Sequence, residues 1–193
     1  MKRWIRRILF ILLGFLLIYT AVVLVILCTD LPRELIVKYL NDNYGLNVTI
    51  DSMQITSGGK TTIDNLSVNL PMENAAIITV PQIVINHTKI PFVLFQGFKL
   101  KTVRIDKPLV NISQDQTGTW NAERLSYYFK SDSSGSRRNL SLPDIDIIDA
   151  NVIVTDKNGR KDSFNQIFLQ GKSSKSHEWD FHGDIASQIK LDG

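Results

Sequence analysis

A chain of 193 residues, 44% hydrophobic and 21% charged, has room for one anchor and one or two modest domains, which excludes a large multi-domain enzyme. Its formal charge of +3 comes from 22 basic and 19 acidic residues, and four of the basic ones, Lys2, Arg3, Arg6 and Arg7, precede the first apolar run. The remainder is slightly acidic, with no basic face for nucleic acid, and a single cysteine excludes an internal disulfide.

The first predicted element is a helix from Ile8 to Cys28. Its 21 residues carry no charge or proline, and at about 1.5 Å per residue they cross a hydrocarbon core of roughly 30 Å. The basic cluster ahead and Asp30 behind place the N-terminus in the cytoplasm and the remainder outside. A cleaved signal peptide is the competing reading, but the run exceeds the ~7–15 residues of such a core. Val25 to Asp30 also offers no small-x-small cleavage site, and Leu27 lacks the small side chain a lipoprotein signal wants before Cys28.

Leu31 to Asn43 reads as an amphipathic helix, with Pro32 in its first turn, Leu31, Leu35, Ile36, Tyr39 and Leu40 on one face, and Gly45 to end it. It is expected to cap the end of a sheet. From Leu46 the period becomes two: Leu46, Val48 and Ile50 alternate with polar residues, and Met53 and Ile55 resume after a one-residue slip, as in a bulged strand. Gly58-Gly59 turns into a strand from Ile63 to Leu70. A third runs from Ala76 to Asn86, where Pro81 suggests an edge or a bulge.

Ile90 to Gly97, with Pro91 and a dense apolar cluster, fits a short helical turn. Strands follow at Phe98 to Asp106 and Leu109 to Gln114, then a turn at Gln116-Thr117-Gly118 and a short helix from Trp120 to Phe129. Ser131 to Arg138 is polar and serine-rich, a loop or linker. Further strands are expected at Leu142 to Thr155, Ser163 to Gln170 and around Trp179 to Ile185. The chain thus divides into an anchor (1–29), an exported helix with a first β segment (30–130), a flexible loop (131–139) and a second β segment (140–193).

Laying Leu100 to Thr117 over Leu142 to Gly159 aligns Val103 with Ile145, Ile105 with Ile147, Val110 with Val152 and Ile112 with Val154, without a gap. Each copy ends in a polar turn, so two short apolar runs and a turn form the repeating unit. A sheet of such strands has one apolar face to cover with a helix, a second sheet or a ligand. The inward set is Val48, Ile50, Leu66, Val68, Ile83, Ile85, Val103, Ile105, Val110, Ile112, Ile145, Ile147, Val152 and Val154. These residues suit either an ordinary sandwich core or a surface along which an acyl chain gains about 0.8 kcal/mol per buried methylene.

In the order of its motifs the chain resembles the AsmA-like family of envelope proteins, which includes AsmA and TamB. The residues carrying the resemblance are the anchor, YLNDNYGLNVTIDSMQI from Tyr39 to Ile55, TTIDNLSVNLP from Thr61 to Pro71, VRIDKPLVNISQDQTGTWN from Val103 to Asn121, and IDIIDANVIVTDKNGR from Ile145 to Arg160. The resemblance implies a mainly β protein with an N-terminal transmembrane helix, a short juxtamembrane helix and an elongated, open-ended antiparallel β-groove. It also implies a single-pass location in the bacterial inner membrane, the bulk in the periplasm, and phospholipid transport or outer-membrane biogenesis without covalent catalysis. Membrane phospholipid is the implied partner, with no cofactor. The chain is shorter than family members, so further sequence, further copies or other envelope proteins are expected to complete the groove. The alternative is a membrane-anchored adaptor that binds partner proteins through sheet edges.

Other chemistry has little footing. His87, His177 and His182 form no metal-ligand spacing of the usual kind, and His182 with Asp180 and Asp184 reads as the polar face of a strand. Asp144, Asp146 and Asp149 read the same way. No nucleophile elbow, phosphate loop or dinucleotide fingerprint is present, so an enzyme is not expected.

Overall fold

The computed structural model describes residues 2–71, 75–93, 97–129, 142–173, 179–185 and 190–191. The expected loop at 131–139 and His177 lie outside the described residues. Helix α1 spans Lys2–Cys28, and its stretch Arg7–Cys28 is long and apolar enough to cross a membrane, with a mean hydropathy of 3.0 and none of it buried within the protein. Thr29 and Asp30 break it, and α2 follows at Leu31–Tyr44 with Pro32 in its first turn. Gly45, at φ 58°, ends α2 by donating its N–H to the Asn41 carbonyl at 2.9 Å, the left-handed cap that glycine adopts without steric penalty.

Among the described residues nine strands then build one sheet: β1 (Asn47–Ile55), β2 (Lys60–Asn69), β3 (Ile78–His87), β4 (Leu100–Asp106), β5 (Leu109–Ser113), β6 (Asp144–Thr155), β7 (Lys161–Ser173), β8 (Trp179–Ile185) and β9 (Lys190–Leu191). A 3₁₀ turn at Ile90–Phe92 lies between β3 and β4, and α3 covers Asn121–Phe129. The order is β1-β2-β3-β4-β6-β7-β8, with β5 continuing the line of β4 between β3 and β6, and β9 pairing with β7.

Pairing is antiparallel except where β4 and β5 meet β6. That contact is parallel, and its register joins Val103 to Ile145, Ile105 to Ile147, Val110 to Val152 and Ile112 to Val154. These are the residues that superimpose in the internal repeat. Two copies of one pattern run side by side in the same direction, so equivalent residues become neighbours.

An irregular line, a crease in the pairing, crosses the sheet from β1 to β7. Asp51, Asn65, Pro81 and Lys107 occupy facing positions where the ladders of β1, β2, β3 and β4–β5 skip a pair, and Asp149 of β6 stands level with Lys107. Asn65, Lys107, Asp149 and Gln166 have φ of 52°, 52°, 55° and 56°, and they are the non-glycine residues with positive φ among those described. At this line each strand shifts its apolar set by one residue: Ile50 to Met53, Ile63 to Leu66, Val80 to Ile83, Ile105 to Val110, Ile147 to Val152. A one-residue slip in one strand alone would turn its side chains to the wrong face. Made together from β1 to β6, the slips keep the apolar residues paired on one face, and between β6 and β7 the register shifts at Ala150. Pro81 is therefore central in the sheet, tolerated because the crease asks no ladder bond of it. Of the expected edge or bulge, the edge is excluded because β3 has neighbours on both sides, and Pro81 instead sits where the ladders skip a pair.

Three hairpin turns share one design. Thr56, Asp115 and Asp156 each donate their N–H to the carbonyl four residues on, and each accepts from the N–H of the glycine three residues on, Gly59, Gly118 and Gly159. The glycines stand at φ 87°, 89° and 83°, where a side chain is strained. Asn121, at the start of α3, accepts from the Ser113 N–H at 3.0 Å and donates to the Asn111 carbonyl at 2.9 Å, which ties α3 to β5.

Helix α2 lies along β1 rather than across the end of the sheet. Asn41 pairs with both backbone groups of Val48, accepting from its N–H at 2.7 Å, and Arg33 donates to the Asp51 carbonyl at 2.6 Å. These contacts stand in for a neighbouring strand and cover the β1 edge. Leu40 and Tyr44 of α2 and Leu125 and Tyr128 of α3 close over Leu46, Val48, Leu70 and Ile77, the buried core. Leu31, Leu35 and Tyr39 turn outward instead, because the edge contacts fix which side of α2 meets β1.

Candidate apolar binding site

Cross-strand partners share a face, so the registers assign the inward residues to rows. Above the crease, Val48, Val68, Ile78, Val110, Val152 and Phe164 form one row, and Ile50, Leu66 and Val80 a shorter one. Ile112 pairs with Val154. Below the crease, Met53, Ile63, Ile83, Ile105, Ile147 and Leu169 form a row, and next to it lie Ile55, Thr61, Ile85, Val103 and Ile145. That last row ends on Gly171 and Phe181, whose ring covers the glycine so closely that an added Cβ would stand 2.7 Å from it. All fourteen residues of the expected inward set fall in these rows. Val48 and Ile50 are buried, and the other twelve are half-buried.

The rows are covered unevenly. Helices pack on β1 and β5, at the upper half of the first strands. Below the crease the face of β1 to β4 looks across a cavity of about 620 Å³ toward the C-terminal half of α1. Phe15, Tyr19, Val22 and Ile26 of α1, Pro32 and Ile36 of α2, and Met53, Ile63 and Ile85 of the sheet line it. Ile90, Val93 and Phe98 line it as well. The volume falls in the roughly 300–1,000 Å³ range of small-molecule sites.

Among the lining residues the polar side chains are Tyr19, Thr61 and His87, and each has a partner. The Thr88 carbonyl can only accept, so His87 donates from Nδ1 at 2.7 Å, and in the neutral ring Nε2 accepts from the Thr61 hydroxyl at 2.9 Å. The Tyr19 hydroxyl donates to the Ile90 carbonyl at 3.2 Å. A wall of apolar carbon with its few polar groups turned onto one another favours hydrocarbon over a charged or hydrogen-bonding ligand.

Of the expected set only Ile85 lines this cavity. The sequence reading omitted Met53 and Ile63, which lie on the far side of the crease from Val48 and Leu66, and the walls from α1 and α2. The slip at Met53 was the available signal. The wall formed by α1 left little, because nearly every residue of its long run is apolar whatever it faces, Tyr19 and Thr20 being exceptions.

The polar candidates remain on strands. Asp146 accepts from the Gln170 side chain at 2.9 Å, and Asp144 accepts from the Ser173 N–H at 2.9 Å. Asp149 is a crease residue. Asp180, His182 and Asp184 are exposed on β8. Among the described residues no group of three or more His, Cys, Asp or Glu side chains is placed to hold a metal ion. No protein-family model matches the chain, and no curated protein matches it significantly.

Proposed function

We propose that the chain is an inner-membrane-anchored envelope protein of the AsmA-like class that takes phospholipid acyl chains from the bilayer onto the apolar face of its sheet, without covalent catalysis. The observation that carries this reading is the cavity between α1 and the lower sheet, which joins an apolar helix of membrane length to the apolar rows running across to β7. Removing acyl methylenes from water there gains about 0.8 kcal/mol each, so a headgroup can stay at the rim while the chains lie along Ile63, Ile83 and Ile105. The bulk of the chain then lies in the periplasm.

Native mass spectrometry of the full chain in a lipid-free detergent tests the proposal. Bound phospholipid is expected, and Ile63→Glu with Ile85→Glu should abolish it while the circular dichroism of the sheet is kept. A lipid-free wild-type chain would refute the proposal. The edge of β8 favours a second reading: among the described strands it ends the sheet with no helix along it, whereas α2 covers β1. Partner strands adding to that edge would make the chain an adaptor or extend the groove.

A further inference from the structure

We infer that α1 is a hinged cover of the apolar face below the crease. It is docked when the chain is outside a bilayer and swings away about Thr29 and Asp30 once α1 spans one, so that the rows it covers open to lipid. This deepens the proposed function, on which it rests for α1 crossing the bilayer and for the lower rows taking acyl chains.

Two contacts compete for the same half of α1. Against the sheet, Phe15, Tyr19, Val22 and Ile26 line the cavity, and the Tyr19 hydroxyl donates to the Ile90 carbonyl at 3.2 Å. In a bilayer, the 22 residues of Arg7–Cys28 reach about 33 Å, little more than a hydrocarbon core of roughly 30 Å. Tyr19 lies nine residues before the end of α1, about 14 Å along its axis, and is then well inside the hydrocarbon. The sheet cannot follow it there. Lys60, Lys89, Lys99 and Lys101 are exposed where β2 begins, β3 ends and β4 begins, and Gln54, Gln82 and Arg104 are exposed on the outer face of the lower strands. Hydrocarbon makes such charged and hydrogen-bonding groups costly unless they are paired within the protein. Docking and full insertion therefore exclude one another.

The bilayer wins that competition. Docking covers α1 on one side only: Leu16, Leu17 and Leu24 are 57%, 64% and 54% exposed, and even Phe15, beside the cavity, is 64% exposed. A bilayer takes the same side chains out of water all round the helix.

The joint is built to turn. Thr29 bonds back to the Val25 carbonyl, by its N–H at 3.2 Å and its hydroxyl at 2.6 Å. Asp30 belongs to α2, its carbonyl accepting from the Glu34 N–H at 3.0 Å and its carboxylate lying 3.8 Å from Arg33. None of these bonds crosses from Thr29 to Asp30, and hinges are made of such residues at the ends of elements. Helix α2 stays with the sheet, because Asn41 holds Val48 and Arg33 donates to the Asp51 carbonyl at 2.6 Å. With α1 swung away, Met53, Ile63 and Ile85 lose their cover, and an acyl chain takes the place of the helix.

Distances between paired spin labels, measured by pulsed electron paramagnetic resonance on the full chain, test this. In a Cys28→Ser background, labels at Leu17→Cys and Lys60→Cys report α1 against the sheet, and labels at Lys38→Cys and Lys60→Cys report α2 against it. In bilayers of phosphatidylcholine and phosphatidylglycerol the first distance is expected to exceed its docked value by on the order of 10 Å, since the lower sheet must leave the level of Tyr19, while the second stays unchanged. A first distance equal to the docked one, with the Leu17→Cys label reached by oxygen and shielded from an aqueous nickel chelate, overturns the hinge and leaves the span. A Leu17→Cys label reached by the chelate removes the span, and both readings fall. Native mass spectrometry of the same samples separates hinge from function. A chain that lengthens yet carries no phospholipid sustains the hinge and refutes the lipid reading, and one that carries phospholipid with α1 docked does the reverse.

Discussion

Gly59 and Gly159 sit in turns of the same design, yet their surroundings separate them. An alanine at either position pays the left-handed penalty of about 1–2 kcal/mol. At Gly59 the new Cβ also meets the His87 carbonyl at 2.5 Å and the Lys89 nitrogen at 3.0 Å, whereas at Gly159 nothing lies within 4 Å. Gly59→Ala is therefore expected to lower stability clearly more than Gly159→Ala, in denaturant unfolding of the detergent-solubilised chain followed by tryptophan fluorescence. Equal losses would mean that the β1–β2 turn does not hold the segment after β3. Asp115 and Asp156 anchor two of these turns. The Thr117 hydroxyl and Thr119 N–H lower the pKa of Asp115 below its usual 3.8, and the Arg160 and Asn158 N–H groups lower that of Asp156. The unfolded chain takes the proton first, so this stabilisation is complete above pH 3.8 and is lost as pH falls through the lower folded value. Asp115→Asn retains an acceptor oxygen without the charge. Its unfolding midpoint should consequently fall less between pH 5 and pH 3 than that of the wild type.

The crease belongs to the scale of elements. A single left-handed residue in one strand is a local strain, but Asn65 of β2, Lys107 between β4 and β5, and Asp149 of β6 lie on one line across the sheet, reinforced where Asn65 donates to the Asp51 carboxylate at 2.9 Å. Gln166→Gly relieves the backbone and is expected to leave stability unchanged or raised. Gln166→Val, which resists φ of 56°, should lower it by about 1–2 kcal/mol. Comparable losses from both substitutions would show that the side chain, and not the backbone, matters there. The sequence marked the β1 portion of this line at Met53, and in β3 it marked Pro81 as an edge or a bulge. Pro81, Lys107-Pro108 and Asp149 carry no common motif, and their alignment arises from strand pairing.

Across the whole molecule, protection should follow place in the sheet. Amides of β3, bonded to β2 on one side and to β4 and β5 on the other, are expected to exchange slowest, and those of β8 to exchange orders of magnitude faster, by hydrogen exchange with mass spectrometry. Protection of β8 equal to β3 in membranes would reveal a strand from another chain on that edge. Local pattern made much of this architecture readable: α1 from an uninterrupted apolar run, α2 from its proline and Gly45, most strands from alternation, and the hairpin turns from their glycines. Each of these depends on residues close together in the chain. The parallel partnership of β4 and β5 with β6 was visible only as a repeat, since similarity between two segments does not say that they touch. Tertiary structure decided the rest. It placed α2 along the β1 edge, drew the apolar rows across a crease, and set α1 opposite Ile63 and Ile85 to enclose a cavity, because each arrangement depends on contacts between residues distant in sequence, which no local periodicity encodes.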